Sequence, residues 1–314
     1  MAFAALALAA PACADGYEWR LPRGFPEPAV PADNPMSAEK VALGARLFSD
    51  TRLSASGRHS CESCHSPYRA FTDGLPRSRG DAGETLPLNA PTLLNVAYNP
   101  SLGWNDPAVR TLEQQMAGPL FNEHPRELGL KGREAAVERV LGEDAAMASG
   151  FAAAFPGEDR PVAFGNVVRA IAAYQRTLIS GDSPFDRYVF GGDSAALSAA
   201  QKRGLELFSG RAGCVACHGG INFAGPWVDR DAPDAEPAFA DAGTGVKVRV
   251  PTLRNVARTG PYLHDGRLAT LDDVLARYEV LAHESPDPRL ARPGLTTDER
   301  DALRAFLDSL TDAP

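Results

Sequence analysis

The residues best equipped for chemistry in this chain lie in two short frames, Cys61-Glu-Ser-Cys64-His65 and Cys214-Val-Ala-Cys217-His218. Two cysteines at this spacing can form thioethers with the two vinyl groups of one haem, while the histidine that follows reaches the iron from the same side. A lone C-x-x-C also suits a dithiol redox pair or half of a zinc site. Here a histidine completes the frame both times. The only other cysteine, Cys13, falls in the apolar opening run MAFAALALAAPACA, which closes on the small-x-small pattern Ala12-Cys13-Ala14. An export signal over residues 1–14, cleaved after Ala14, is expected, and with it a periplasmic protein carrying two covalent haems c with His65 and His218 as proximal iron ligands.

The distal sides decide between electron transfer and reaction with a small oxidant. Both frames sit in a longer internal repeat: Leu43-Gly44-Ala45-Arg46-Leu47-Phe48 answers Arg203-Gly204-Leu205-Glu206-Leu207-Phe208, and Pro91-Thr92-Leu93-Leu94-Asn95 answers Pro251-Thr252-Leu253-Arg254-Asn255. The register continues from Thr111 and Thr270 and places Pro119 opposite Tyr278. Proline has no atom to offer iron, whereas a tyrosine phenolate is a known axial ligand. The C-terminal region holds no methionine, since the four are Met1, Met36, Met116 and Met147. Tyr278 is therefore the favoured sixth ligand of the second haem. Tyr262, His264 and His283 are the other candidates, with His283 the fallback. The first haem is expected to be open, unless Met116 or His124 closes it; Met116 otherwise serves as core filler.

These stretches closely resemble the bacterial di-haem cytochrome c peroxidase and MauG family. The likeness runs from about Ala38 to the C-terminus through CESCHSPYRAFTDG (61–74), NAPTLLN (89–95), LEQQMAGPL (112–120) and the segment from Pro251 to Tyr278. The resemblance implies that hydrogen peroxide reacts at the N-terminal haem while the C-terminal haem stores or relays electrons. It assigns Gln115 and Pro119 to the distal pocket, Glu127 to acid–base work on peroxide, and Trp104 to the space between the haems. It also implies a calcium ion held by Asn89 and the carbonyls of Thr259 and Pro261, oxygen donors that suit a hard cation. The loop from Pro119 to Glu127 is two residues longer than the family's usual loop.

Two departures point toward the MauG and MbnH branches. The loop Arg79-Gly80-Asp81-Ala82-Gly83-Glu84 lacks the histidine with which ordinary di-haem peroxidases block the first iron, and Tyr278 stands where they carry methionine. A phenolate stabilises high-valent iron, which favours an enzyme that oxidises a substrate at long range. The stretch from Tyr98 to Gly129 resembles MbnH-type proteins, which implies a tryptophan on a partner protein as substrate, oxidised to kynurenine. The surface tryptophan that MauG carries before its second haem frame is Ala212 here. The competing readings are a peroxidase drawing electrons from a small cytochrome or copper protein, and a non-catalytic electron carrier with both haems six-coordinate.

The elements that must position these residues read as helices and loops. Apolar periodicity predicts helices near 164–179 and 198–208, and Thr296 with Glu299 has capping-box spacing for a C-terminal helix. No alternating strand pattern of useful length occurs. The expected fold is mostly α, with two cytochrome c-like domains over 15–192 and 193–314 meeting at the Gly191-Gly192-Asp193-Ser194 turn, and with an exposed excursion over 229–241. A chain of 314 residues has room for two cores. The net charge of −8 argues against nucleic acid or an anionic membrane surface as partners, and no segment after the N-terminus is long enough to span a bilayer.

Overall fold

The computed structural model describes residues 17–225, 239–240, 247–284, 290 and 294–313. The expected leader and most of the 229–241 excursion lie outside them. The chain is mostly helical, as its periodicity implies. Helix α1 (Ala38–Phe48) is capped by Ser37 and leads to the first haem frame, whose cysteines form the single turn α2 (Cys61–Cys64). After a long loop come α3 (Leu112–Gln115) and α4 (Ala117–Phe121), then α5 (Glu134–Glu143), α6 (Ala145–Ala154) and α7 (Phe164–Arg176). The short α8 (Pro184–Val189) and α9 (Ala199–Ser209) precede the second frame, and α10 (Leu271–Glu284) and α11 (Thr297–Asp308) follow it. Thr296 caps α11 with the reciprocal box expected from its spacing to Glu299, and Ser198 caps α9 with a reciprocal box of its own. Among the described residues the only ladder is a two-residue antiparallel pair, Phe239–Ala240 with Val248–Arg249.

Two apolar clusters form the interior. The first gathers Leu43, Leu47 and Phe48 of α1 with Val167, Ala170 and Ile171 of α7, and takes in Leu112, Met116 and Leu120. The second joins Leu207 and Phe208 of α9 to Leu303, Phe306 and Leu307 of α11, with Phe185, Phe223 and Leu271. Each depends on one close helix crossing at a glycine. A Cβ on Gly44 would lie 1.9 Å from the Ala170 carbonyl oxygen, and a Cβ on Gly204 would lie 2.0 Å from that of Ala302. No side chain can stand at either crossing.

Behind each haem frame the backbone takes the same path. The Thr92 hydroxyl donates to the Ala70 carbonyl, and the Thr252 hydroxyl to that of Asn222, both at 2.6 Å. Asn95 and Asn255 both adopt the left-handed conformation, φ 58° and 57°, before a short 3₁₀ turn. Both contact Ser180: the Asn95 amide donates to the Ser180 carbonyl at 2.8 Å, and the Asn255 amide to its hydroxyl at 2.6 Å. The helix expected to reach residue 179 stops at Arg176. The backbone N–H of Ser180 donates instead to the Asn95 side chain, and the Leu178 carbonyl accepts from the Asn95 N–H.

Candidate functional site: two haem frames joined at Trp104

Each proximal histidine is aimed by a backbone acceptor. His65 Nδ1 donates to the Phe71 carbonyl and His218 Nδ1 to that of Phe223, both at 3.0 Å. Using Nδ1 in this way fixes the tautomer and leaves Nε2 as the free donor atom for a metal. The acceptors are offered by a tight return of the chain in which Phe71 and Phe223 have φ 58° and 50°. Burial lowers the pKa of both imidazoles, so each is neutral and ready to ligate at physiological pH. All four described cysteines are unbridged, and burial pushes the Cys61 and Cys64 thiols up to about 12 and about 11.

The second frame opens into an apolar cavity of about 260 Å³, lined among others by Cys214, Cys217, His218, Tyr278, Trp104 and Arg249. Tyr278 projects from α10 into this wall. Burial, followed by the nearby Cys214 and Cys217, raises its phenol to about 12, so the free side chain is neutral. Tyr262 also lines the cavity, but its hydroxyl donates to the Val256 carbonyl at 2.9 Å. His264 borders the cavity as well, half-buried, whereas the fallback ligand His283 is exposed at the end of α10.

Around the first frame the expected distal residues gather on α3, α4 and the loop after them. Gln114 is used up as the capping partner of Thr111, which leaves Gln115 half-buried beside it. The helix breaks at Met116, which is 3% exposed within the first apolar cluster, in the core-filler place. His124 is exposed beside a cis Pro125. The Pro119 carbonyl accepts from Leu128 N–H at 3.0 Å, and the Glu127 carbonyl accepts from Asp81 N–H at 2.8 Å, so the lengthened loop is pinned on both sides of Glu127. Burial raises the pKa of the Glu127 carboxyl, and among the described residues it forms no ion pair. It lies close enough to Cys64 to help push that thiol up, after burial and Asp73. The structure thus brings Glu127 toward the first haem frame and ties its loop to Pro119.

The loop that carries no blocking histidine is itself anchored. The Asp81 carboxylate, 2% exposed, accepts from the Ser56 N–H and hydroxyl and faces His59 at 3.5 Å. These bonds hold its pKa low against the opposing effect of burial.

Trp104 connects the two regions. Its indole Nε1 donates to the Asn89 carbonyl at 3.3 Å, and its own carbonyl accepts from Arg249 N–H at 2.7 Å. Asn89, Thr259 and Pro261 border the same cavity, and the Asn89 amide nitrogen is spent on the Leu75 carbonyl at 2.8 Å, leaving its oxygen as the donor atom for a cation. Sequence reasoning missed Arg249. It is 4% exposed, its Nε has no hydrogen-bond partner, and desolvation lowers its pKa to about 10. An apolar cavity beside a thioether frame, an imidazole Nε2 and an uncompensated buried cation is matched by haem c, a flat apolar ring whose charged periphery is anionic. The donor set therefore fits the group.

Two proximal histidines, each behind a thioether frame and aimed by a backbone carbonyl, define a di-haem c-type protein. Residues 38–194 match the family model of di-haem cytochrome c peroxidases, which includes MauG, and the chain belongs to that family. It is 37% identical to the methylamine utilization protein MauG of Methylorubrum extorquens, over 94% of this chain and 84% of that one. It is 36% identical to the cytochrome c551 peroxidase of Pseudomonas aeruginosa, over 88% and 80%. Among solved structures it resembles a MauG-like protein associated with microbial copper homeostasis, with TM-score 0.85 and 37% identity over 95% of this chain and 96% of that one. It also resembles the di-haem peroxidase BthA of Burkholderia thailandensis, with TM-score 0.69 and 26% identity over 89% and 87%. The protein is a haem-dependent oxidoreductase of the peroxidase type. Among the described residues no helix is long and apolar enough to cross a membrane.

Proposed function

We propose that this protein is a periplasmic di-haem enzyme that uses hydrogen peroxide to oxidise a residue on a partner protein, as MauG/MbnH-type enzymes do. The observation that carries this reading is Tyr278, set in the cavity wall that also contains Cys214, Cys217 and His218. The bound haems supply peroxide activation and storage of oxidising equivalents; His65 and His218 hold their irons, with Tyr278 as the second ligand of the C-terminal one. Metal ligation replaces the phenol proton, so a side chain that is neutral when free becomes an anionic ligand, and anionic ligands favour the oxidised metal.

On the first side, Glu127 takes a proton from peroxide and returns it to the departing oxygen. A carboxyl with a raised pKa and no ion pair suits that exchange. Gln115 and Pro119 shape the pocket, and Trp104 bridges toward the second haem. Asn89 with the Thr259 and Pro261 carbonyls forms a calcium site where the two regions meet. A division at 192/193 would follow the exposed Gly191–Ser194 turn, with Phe185 of α8 reaching across it into the second apolar cluster. The likeness to a MauG-like protein associated with microbial copper homeostasis supports the MauG-type reading, under which tryptophan to kynurenine is the conversion proposed.

The test is a low-temperature EPR spectrum of the diferric protein and of Tyr278→Phe. One high-spin and one low-spin ferric signal are expected, with the low-spin signal altered by the substitution. Two low-spin signals, both unmoved, would overturn the assignment. The likeness to cytochrome c551 peroxidase favours a second reading, peroxide removal with electrons from a small cytochrome. Fast peroxide-dependent oxidation of reduced cytochrome c would establish it, and negligible turnover would favour the protein-modifying reading.

A further inference from the structure

We propose that Arg249 anchors a carboxylate of the second haem and, through its guanidinium on the Trp104 ring, is the positioning residue that keeps the indole in register with that haem. The inference rests on the second haem occupying the cavity beside Cys214, Cys217 and His218.

The side chain is buried, borders that cavity and pairs with no carboxylate among the described residues. Its guanidinium carbon stands 5.4 Å from the centroid of the Trp104 ring, and Nε has no acceptor. At neutral pH the guanidinium remains charged although burial draws its pKa down to about 10. An isolated buried cation is costly, and a planar fork of donors is satisfied best by a planar carboxylate. The only anionic groups that a haem brings into an apolar cavity are its two propionates.

The repeat register gives independent support. Arg249 stands two residues before Pro251, as Asn89 stands two before Pro91. These two equivalent positions hold Trp104 from opposite ends, the Asn89 carbonyl accepting from the indole and the Arg249 N–H donating to the Trp104 carbonyl. Both border the cavity that contains Tyr278, and only Arg249 brings a charge to it. Trp104 is thereby fixed by its backbone, by its indole N–H and by a cation on its ring. A cation beside a haem carboxylate also favours the ferrous over the ferric state.

The test compares the intact di-haem protein with Arg249→Gln and Arg249→Lys, after a pyridine haemochrome assay has shown two haems per chain. In Arg249→Gln the propionate bending bands of the resonance Raman spectrum shift, and the midpoint potential of the low-spin haem falls. In Arg249→Lys the potential returns toward the wild-type value while the Raman bands stay displaced, because an ammonium keeps the charge but not the fork. Unchanged bands and potential in Arg249→Gln would overturn the proposal and assign the cation to a carboxylate of the chain. Should Arg249→Gln not accumulate, unchanged bands in Arg249→Lys would overturn it equally. A wild-type protein with a single haem would remove the premise instead.

Discussion

Thr111 and Thr270 open the distal helices of the two haem regions with the same capping box, yet α3 ends within a turn whereas α10 runs unbroken through Tyr278 to Glu284. The cause is local. Proline in a helix interior lacks its N–H and collides with the preceding turn, but it is tolerated in a first turn, where the N–H needs no partner. The break at Met116 makes Pro119 the third residue of a new helix and turns its carbonyl toward Leu128. One register position thus holds a potential iron ligand on a continuous helix in one region. In the other it holds a bend from which a loop returns with Glu127. The two copies differ in whether the helix stops before this position or carries it onward.

The largest expected effect isolates one side entirely. Replacing Cys61 and Cys64 together by serine leaves a single covalent haem by haemochrome assay and abolishes reaction with peroxide, whereas a chain that still reacts would move the open site to the second region. Next, Glu127→Gln slows the peroxide reaction by about 10²–10⁴-fold in stopped-flow traces with the ferric spectrum unchanged. In the native protein that rate rises with pH as the carboxyl ionises. Because burial raises its pKa, the rise is centred above the ordinary glutamate value of 4.5. A rate flat across that range would separate Glu127 from the proton transfer.

Smaller effects probe the framework. Gly44→Ala and Gly204→Ala each force a Cβ onto a backbone carbonyl and should cost about 1–3 kcal/mol, read as a lower Tm. Equal losses would mean that the two crossings contribute alike, and an unchanged Tm in either would show that its helices can separate freely. Thr92→Val removes the hydroxyl's bonds to the Ala70 carbonyl and from the Leu94 N–H, and Thr252→Val those to Asn222 and from the Arg254 N–H, each bond worth about 1 kcal/mol in urea unfolding.

Much of this was legible in the sequence because it is local. The haem frames, the Thr296 cap, and the Pro119/Tyr278 register all depend on spacing within a few residues or on counting between copies. What escaped depends on distant partners. The return of the loop onto the Pro119 carbonyl depends on Leu128, and the placement of Glu127 on Asp81, far away in the chain. Arg249 gave no signal because a single arginine looks like surface until Trp104 and the cavity are found around it. Arg254 was read only as a variation in a repeat. It is wholly buried, paired with Asp186 at 2.8 Å and stacked on Phe25.

Ser180 offers its carbonyl to Asn95 and its hydroxyl to Asn255, the matching residues of the two haem regions. A duplicated module is ordinarily free to drift, each copy absorbing changes the other never feels. One residue shared by both copies ends that independence: a substitution there is inherited twice, and the two halves are bound to a common evolutionary pace although their chemistry has diverged.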